Sequence, residues 1–303
     1  SAKAFAERLA DNRIWFGADG DGVPRIKRFL SELKFEGMAP TSILFYKEVG
    51  HSQEGSQEVN KLLDAGVFDG PKPVRLLYRL LTLANLKEDS IVLDFFSGSG
   101  SVAHALMKFN KDKGFQAKYI MVQVVEGADD KARKAGYNNI CEIGKERIRR
   151  AGRKVKEEAG LQGQDLDIGF RVLKLDTSNM EDVYYTPDKF DPSMLDGLVD
   201  NIKADRTNED LLFQVMLSLG IELSTKIKRQ EIAGKEVWNV DDGYLLACFD
   251  KDVNETTIEE MAKLQPTHLV IRDASAANDN VLDNFDQIIE TYSAEKKITT
   301  HVV

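Results

Sequence analysis

Apolar positions recur along this chain with two different periods, and the alternation between them outlines the architecture. From Val74 to Asn85 the leucines Leu76, Leu77, Leu80 and Leu81 fall on one helical stripe, with Pro73 placed at the first turn. Ile91 to Phe95 is a short apolar run suited to a buried strand, Val102 to Asn110 returns to the helical period, and Tyr119 to Val125 reads as a second strand. A long helix is predicted over Ile140 to Glu158 and a third strand over Phe170 to Leu175. Strands alternating with helices predict a parallel sheet with crossover connections. Residues before Asp69 mix short apolar runs with loops and define no core alone. After Asp176 the character changes: Tyr184-Tyr185-Thr186-Pro187-Asp188 and Phe190-Asp191-Pro192 read as a loop-rich connection, with a second unit expected from about Ser193. That unit is predicted to contain helices at Glu209 to Leu219, Ile258 to Leu264 and Val281 to Tyr292. A hairpin within Glu231 to Val240 and strands at Tyr244 to Phe249 and His268 to Ile271 complete it as a small α/β unit.

Composition adds limits. At 303 residues the chain is long for one core, so two domains are expected. No stretch is long enough to cross a bilayer and the start Ser1-Ala2-Lys3 has no apolar signal core, so the expectation is a cytoplasmic protein without membrane attachment. Cys141 and Cys248 are isolated, and the four histidines lack ligand spacing, which predicts neither a disulfide framework nor a metal site. The net charge of -9 is unexpected for a nucleic-acid binder, since neutralising phosphates is the work of Lys and Arg. Lys145, Arg147, Arg149, Arg150, Arg153, Lys154 and Lys156 do cluster, but at helical spacing they read as a solvated face.

The stretch with most chemical content is Ile91-Val92-Leu93-Asp94-Phe95-Phe96-Ser97-Gly98-Ser99-Gly100-Ser101: strand, glycine-rich turn, helix start. Gly98 and Gly100 allow dihedrals and close approaches that a side chain blocks, Ser99 and Ser101 bring hydroxyls for the helix end, and Asp94 stands where doubly wound sheets bind ligands. The turn lacks both the third glycine of the dinucleotide fingerprint and the Gly-Lys-Ser/Thr of a phosphate loop, which disfavours a nicotinamide-dependent dehydrogenase.

Asp94-Phe95-Phe96-Ser97-Gly98-Ser99-Gly100-Ser101 resembles the S-adenosylmethionine motif of DNA amino-methyltransferases of the β arrangement, whose usual form is Asp-Pro-Phe-x-Gly-Ser-Gly-Thr; here Phe95 replaces the proline and Ser101 the threonine. Phe68-Asp69-Gly70-Pro71-Lys72-Pro73-Val74-Arg75-Leu76-Leu77 resembles the Lys-Pro segment that precedes the turn in those enzymes. Asn12 to Gly17, Val23 to Leu30, Tyr46 to His51, Ala135 to Ile140, Glu146 to Arg150, Gly169 to Asp176, Asn201 to Arg206 and Ala247 to Asp250 resemble stretches of the modification subunit of type III restriction-modification systems. The resemblance covers nearly the whole chain.

It implies a Rossmann-like S-adenosylmethionine-dependent methyltransferase sheet, present in part, and a smaller carboxyl-terminal α/β domain. The full-length relatives methylate the exocyclic amino group of adenine in DNA. Residues 1–70 would end the target-recognition and catalytic region, 71–180 would hold the cofactor, and 193–303 would serve assembly. The expected cofactor contacts are Lys72, Pro73, Asp94, Phe95, Phe96, Ser97, Gly98, Ser99, Gly100 and Ser101. Gln123, or Glu126 in its place, takes the ribose hydroxyls, with a plain surface role as the alternative for each, and Asp176 either meets the cofactor adenine or caps the Thr177-Ser178-Asn179 turn. Phe96 either flanks the cofactor or packs in the core. Arg25, Lys27 and Arg28 are the candidates for DNA. The Asp-Pro-Pro-Tyr type motif that holds a flipped adenine is missing, because no two prolines are adjacent. A carboxyl-terminal fragment without catalytic residues is therefore expected, inactive alone. The resemblance implies a homodimer and a restriction (Res) subunit as partners. The alternative is a non-catalytic protein-interaction module that retains the fold; Arg272-Asp273-Ala274-Ser275 is expected to be a strand-end turn.

Overall fold

The computed structural model describes residues 2–32, 39–163, 165–181, 202–272, 279–293 and 297–303. They form two compact units, Ser1–Phe170 and Arg171–Val303.

Unit 1 opens with helix α1 (Ala2–Ala10) and a two-residue antiparallel pair, β1 (Ile14–Trp15) with β2 (Arg25–Ile26). Helices α2 (Tyr46–Val49), α3 (Ser52–Leu62) and α4 (Val74–Leu83) follow, then β3 (Ile91–Asp94), α5 (Ser101–Lys113), β4 (Lys118–Met121), α6 (Asp130–Lys134) and α7 (Ile140–Ala159). β3 and β4 are parallel, in the register Ile91 to Lys118 through Asp94 to Met121, and α5 makes the crossover between them. Glycines bound that helix on both sides, Gly100 at φ 73° and Gly114 at φ 68°, where left-handed backbone closes the ends without a Cβ penalty. Asn139 starts α7 by accepting the Glu142 N–H at 3.0 Å.

The strands bury only one side. Val92, Tyr119 and Met121 face the apolar surfaces of α4, α5 and α7, against Leu106, Phe109, Met107 and Ile148. The opposite side carries Ile91, Leu93, Ile120 and Val122, each about half exposed. A second cluster, Val59, Leu63, Val67, Ala132, Tyr137 and Ile143, ties α3 to α6 and α7. Arg75 staples α4 to the preceding helices: it forks the Glu54 carboxylate at 2.6 and 2.7 Å and donates to the Lys47 and Glu48 carbonyls at 3.0 Å.

Unit 2 contains α8 (Asn208–Ser218), β5 (Ile227–Ile232), β6 (Lys235–Val240), β7 (Leu245–Cys248), α9 (Glu255–Lys263), β8 (His268–Ile271), α10 (Asp279–Tyr292) and β9 (Thr299–Val302). The sheet order is β5-β6-β7-β8-β9, antiparallel over the first three strands and parallel over the last three. Alternation along the strands sorts the side chains into two cores. Val237, Leu246, Cys248, Leu269 and Ile271 pack with Ile258 and Met261 of α9 and Phe285 and Ile289 of α10. Trp238, Val240, Leu245, Ala247, Phe249 and Val270 pack with Leu211, Leu212, Val215 and Met216 of α8. Covered on both faces, β7 and β8 read as the continuous apolar runs that central strands require.

The mixed α/β character follows the sequence reading, with three differences. No strand forms over residues 170–175. Val172, Leu173 and Leu175 stay exposed, and the Arg171 guanidinium is drawn instead to the carbonyls of Leu223 and Thr225. β4 ends at Met121 rather than Val125, because its partner β3 ends at Asp94 where the chain enters the glycine turn. The hairpin begins at Ile227, earlier than expected, and α1, α3, α6 and β9 went unread. The expected domain start near Ser193, the loops at Tyr184 to Pro192, and Asp273, Ala274 and Ser275 lie outside the described residues.

Candidate functional site

The glycine turn leaves the carboxyl end of β3 and is held from behind by helix α7. Gly98 and Gly100 have φ of 51° and 73°, backbone that a side chain enters only with strain. A Cβ on Gly100 would stand 3.0 Å from Ile148 Cγ1, and one on Gly144 of α7 would stand 3.1 Å from the Gly98 carbonyl oxygen. Helix and turn therefore touch through glycine on both sides. Phe68 closes the remaining side, its Cζ 3.2 Å from where a Gly98 Cβ would be.

Hydrogen bonds fix the turn's shape. Ser97 N–H donates to the Val122 carbonyl at 3.1 Å and Gly100 N–H to the Ser97 carbonyl at 2.8 Å. Gly98 N–H donates to Gln123 Oε1 at 2.7 Å, and Gln123 Nε2 donates to the Val124 carbonyl at 3.2 Å. Half-buried Asp94 accepts the Phe96 N–H on Oδ1 at 3.2 Å. Phe95 is 62% exposed and Phe96 80%, so core packing, one of the two readings of Phe96, is excluded. Ser99 and Ser101 turn inward: their hydroxyls accept from Arg147 Nη1 at 2.6 and 2.5 Å.

Arg147 corrects the reading of the basic cluster. It is fully buried, on the stripe Ile143, Arg147, Ile148, Ala151 and Val155 of α7, while Arg149, Arg153 and Lys154 are exposed as expected of a solvated face. Nη1 serves both hydroxyls; Nε and Nη2 have no partner among the described residues. Burial brings its pKa down to about 10, with the charge of Glu58 opposing the fall. His104, one turn into α5, is also buried, and desolvation with the neighbouring Arg147 charge lowers its pKa to about 3.

The Lys-Pro segment is organised by α3. Pro71 and Pro73 are buried and Lys72 is exposed. Gly55 lets the α3 backbone press on this segment, since a Cβ there would lie 2.1 Å from the Pro71 carbonyl oxygen. Glu58, a turn later, accepts the Val74 N–H at 2.9 Å and so caps α4 where proline cannot. Desolvation raises the Glu58 pKa, against the lowering effects of that N–H and of Arg147.

Of the other candidates, Glu126 is exposed, its carbonyl accepting the Ile140 N–H at the start of α7. Asp176 belongs to unit 2. It accepts the Thr177 N–H at 2.8 Å and lies 3.8 Å from Arg206 Nη2, and these two partners, in that order, lower its pKa. Arg25 is exposed on β2, its guanidinium 6.0 Å from the Trp15 ring; Lys27 Nζ donates to Asn12 Oδ1 at 2.9 Å; Arg28 is exposed. Among the described residues no helix is long and apolar enough to cross a membrane, and no cluster of three or more His, Cys, Asp or Glu is placed to hold a metal. Arg147 and Glu58 are not among the expected site residues, and Phe68 is there only as the start of the Lys-Pro segment. The available signal for Arg147 was an arginine on the apolar stripe of its helix.

Residues 12–153 match the family of N6/N4 DNA methylases, a range that takes in the Lys-Pro segment, the glycine turn and most of α7. The chain is similar to the Mod subunit of the type III restriction-modification enzyme StyLTI of Salmonella typhimurium, 34% identical over 180 residues, which are 59% of this chain and 26% of that protein. It is 37% identical over 137 residues to the EcoPI Mod subunit of Escherichia phage P1, covering 44% of this chain and 20% of that one. With the type II methyltransferase M.KpnI of Klebsiella pneumoniae it shares 27% over 142 residues, 46% of this chain and 33% of that protein. The turn thus lies within the part of the chain that is similar to DNA methylases. More narrowly, the chain is Mod-like, and it spans about a quarter of the StyLTI relative's length.

Proposed function

We propose that this chain carries the S-adenosylmethionine-binding part of a site-specific DNA adenine-N6 methyltransferase, the modification subunit of a type III system. The observation that carries the proposal is the strand-turn-helix of β3 and α5, with the methylase sequence at its turn and the Lys-Pro segment packed beside it through Phe68. The residues fit the cofactor. Asp94 keeps Oδ2 for an ammonium group, and Phe95 and Phe96 offer exposed rings at the mouth. Bound there, the cofactor supplies a sulfonium methyl with a good leaving group already in place, so the protein's task is alignment. Gln123 is engaged with Gly98 and Val124, which favours Glu126 for the ribose hydroxyls. Lys72 and Pro73 wall the pocket; Asp176, engaged with Thr177 and Arg206, acts as a turn cap. The exposed apolar side of β3 and β4 is the face that the second helical layer of a Rossmann-like fold would cover. Arg25 and Arg28, both exposed, would meet DNA phosphates. Unit 2, with a packed core on each face of its sheet, would pair two copies or dock the restriction subunit. A cytoplasmic location follows from that role.

Calorimetric titration with S-adenosylmethionine and S-adenosylhomocysteine is the direct test. One-site binding that Asp94→Ala abolishes and Glu126→Ala weakens at least tenfold supports the reading. A folded chain that gives no heat with either compound refutes cofactor binding by this chain.

A further inference from the structure

We infer that Arg147 is a positioning residue for the glycine turn, holding Ser99 and Ser101 from inside the protein so that the turn's backbone is ordered before a ligand arrives. The inference rests on the cofactor reading for its purpose but not for its geometry. Three observations carry it. Arg147 is fully buried and its Nη1 lies 2.6 and 2.5 Å from the two hydroxyls. The side chain comes from α7, far along the chain, whose Gly144 and Ile148 touch Gly98 and Gly100 on either side of it. Its charge is felt by Glu58, which binds the Val74 N–H at the end of the Lys-Pro segment. Behind the turn, one buried guanidinium therefore holds both serines of the turn and is within electrostatic reach of Glu58. The N-cap of α5 is Gly100, which brings no side-chain cap, and the hydroxyls on either side of it are turned to Arg147.

The test combines amide hydrogen exchange with ligand binding on the whole chain. Arg147→Met, Arg147→Lys and the double variant Ser99→Ala/Ser101→Ala are compared with the parent. Exchange at residues 98–102 is expected to rise at least tenfold in the methionine and double-alanine variants, with unit 2 amides unchanged, and less in the lysine variant, whose ammonium can serve both hydroxyls. S-adenosylhomocysteine affinity is expected to fall in the same order. The single variants Ser99→Ala and Ser101→Ala each leave the guanidinium one hydroxyl, so they decide the matter if neither Arg147→Met nor the double variant folds. Unchanged exchange at 98–102 in a folded variant overturns the inference. Faster exchange in a protein whose parent binds no cofactor upholds Arg147 as organiser of the turn and sinks the cofactor reading instead.

Discussion

Replacing Gly55 by alanine tests the packing of the Lys-Pro segment because two effects of opposite sign compete. Within a helix, alanine is normally the better residue by up to about 1 kcal/mol, and Gly55 lies inside α3. Its new methyl, however, would stand 2.1 Å from the Pro71 carbonyl oxygen and 3.0 Å from Pro73 N. Carbon and oxygen meet comfortably at about 3.3 Å, so backbone must move by roughly 1 Å. Overpacking of this kind costs about 1–3 kcal/mol, and loosening the Val74 N–H bond to Glu58 adds about 1 kcal/mol. Steric cost therefore outweighs propensity, and a net loss near 2 kcal/mol is expected. For a unit of this size that is a drop in Tm of about 4–8 °C. Differential scanning calorimetry reads it, with Ser56→Ala in the same helix as control, where the propensity gain is set against one bond to the Ser52 carbonyl at 3.2 Å and little change is expected. A Gly55→Ala chain as stable as the parent, or more so, would refute the close approach of α3 to the Lys-Pro segment.

Two further outcomes are expected. His104 holds its folded pKa near 3, so the unfolded chain binds the extra proton between about pH 6.5 and 3, and stability must fall as pH drops through that window, by up to about 4–5 kcal/mol from this group. Urea unfolding at pH 7 and pH 4 should show a smaller acid loss for His104→Gln than for the parent; equal losses would contradict the burial argument. In the β5-β6 hairpin Ala233 sits at φ 50° before Gly234 at φ 76°, so Ala233→Asn, which tolerates left-handed backbone, should raise stability by about 0.5–1 kcal/mol. A loss measured by the same unfolding curves would show that the turn is not of this type.

The parts most legible in the sequence were those whose periodicity is set by burial on both sides. Leu245 to Cys248 and His268 to Ile271 could only be central strands or buried helix turns, and their length favoured strands. The long helix α7 is equally plain, yet its buried arginine stands in sequence among exposed charged neighbours. Arg147 shares a face with Ile143 and Ala151, so its helical phase and not its charge type marks it as buried. Helix α3 escaped notice because Ser52 to Leu62 is mostly polar and interrupted by Gly55; the buried residues in it are that glycine and Val59. Its glycine is a packing device visible only once Pro71 is seen against it. β9 went unread for a related reason: Thr299-Thr300-His301-Val302 has weak apolar contrast, and its strand form comes from bonding to β8. The failed strand at residues 170–175 is the converse case, a strand-like sequence without a neighbour among the described residues.

The placement of the two tryptophans, one in each unit, has a spectroscopic consequence. Trp15 on β1 is 45% exposed, whereas Trp238 on β6 is 3% exposed with the Arg229 guanidinium 4.1 Å from its ring centroid. A water-borne quencher such as acrylamide reaches the first and spares the second. Emission from the native chain thus separates into a quenchable red component from unit 1 and a protected blue one from unit 2, and each unit reports its own melting without any label being attached.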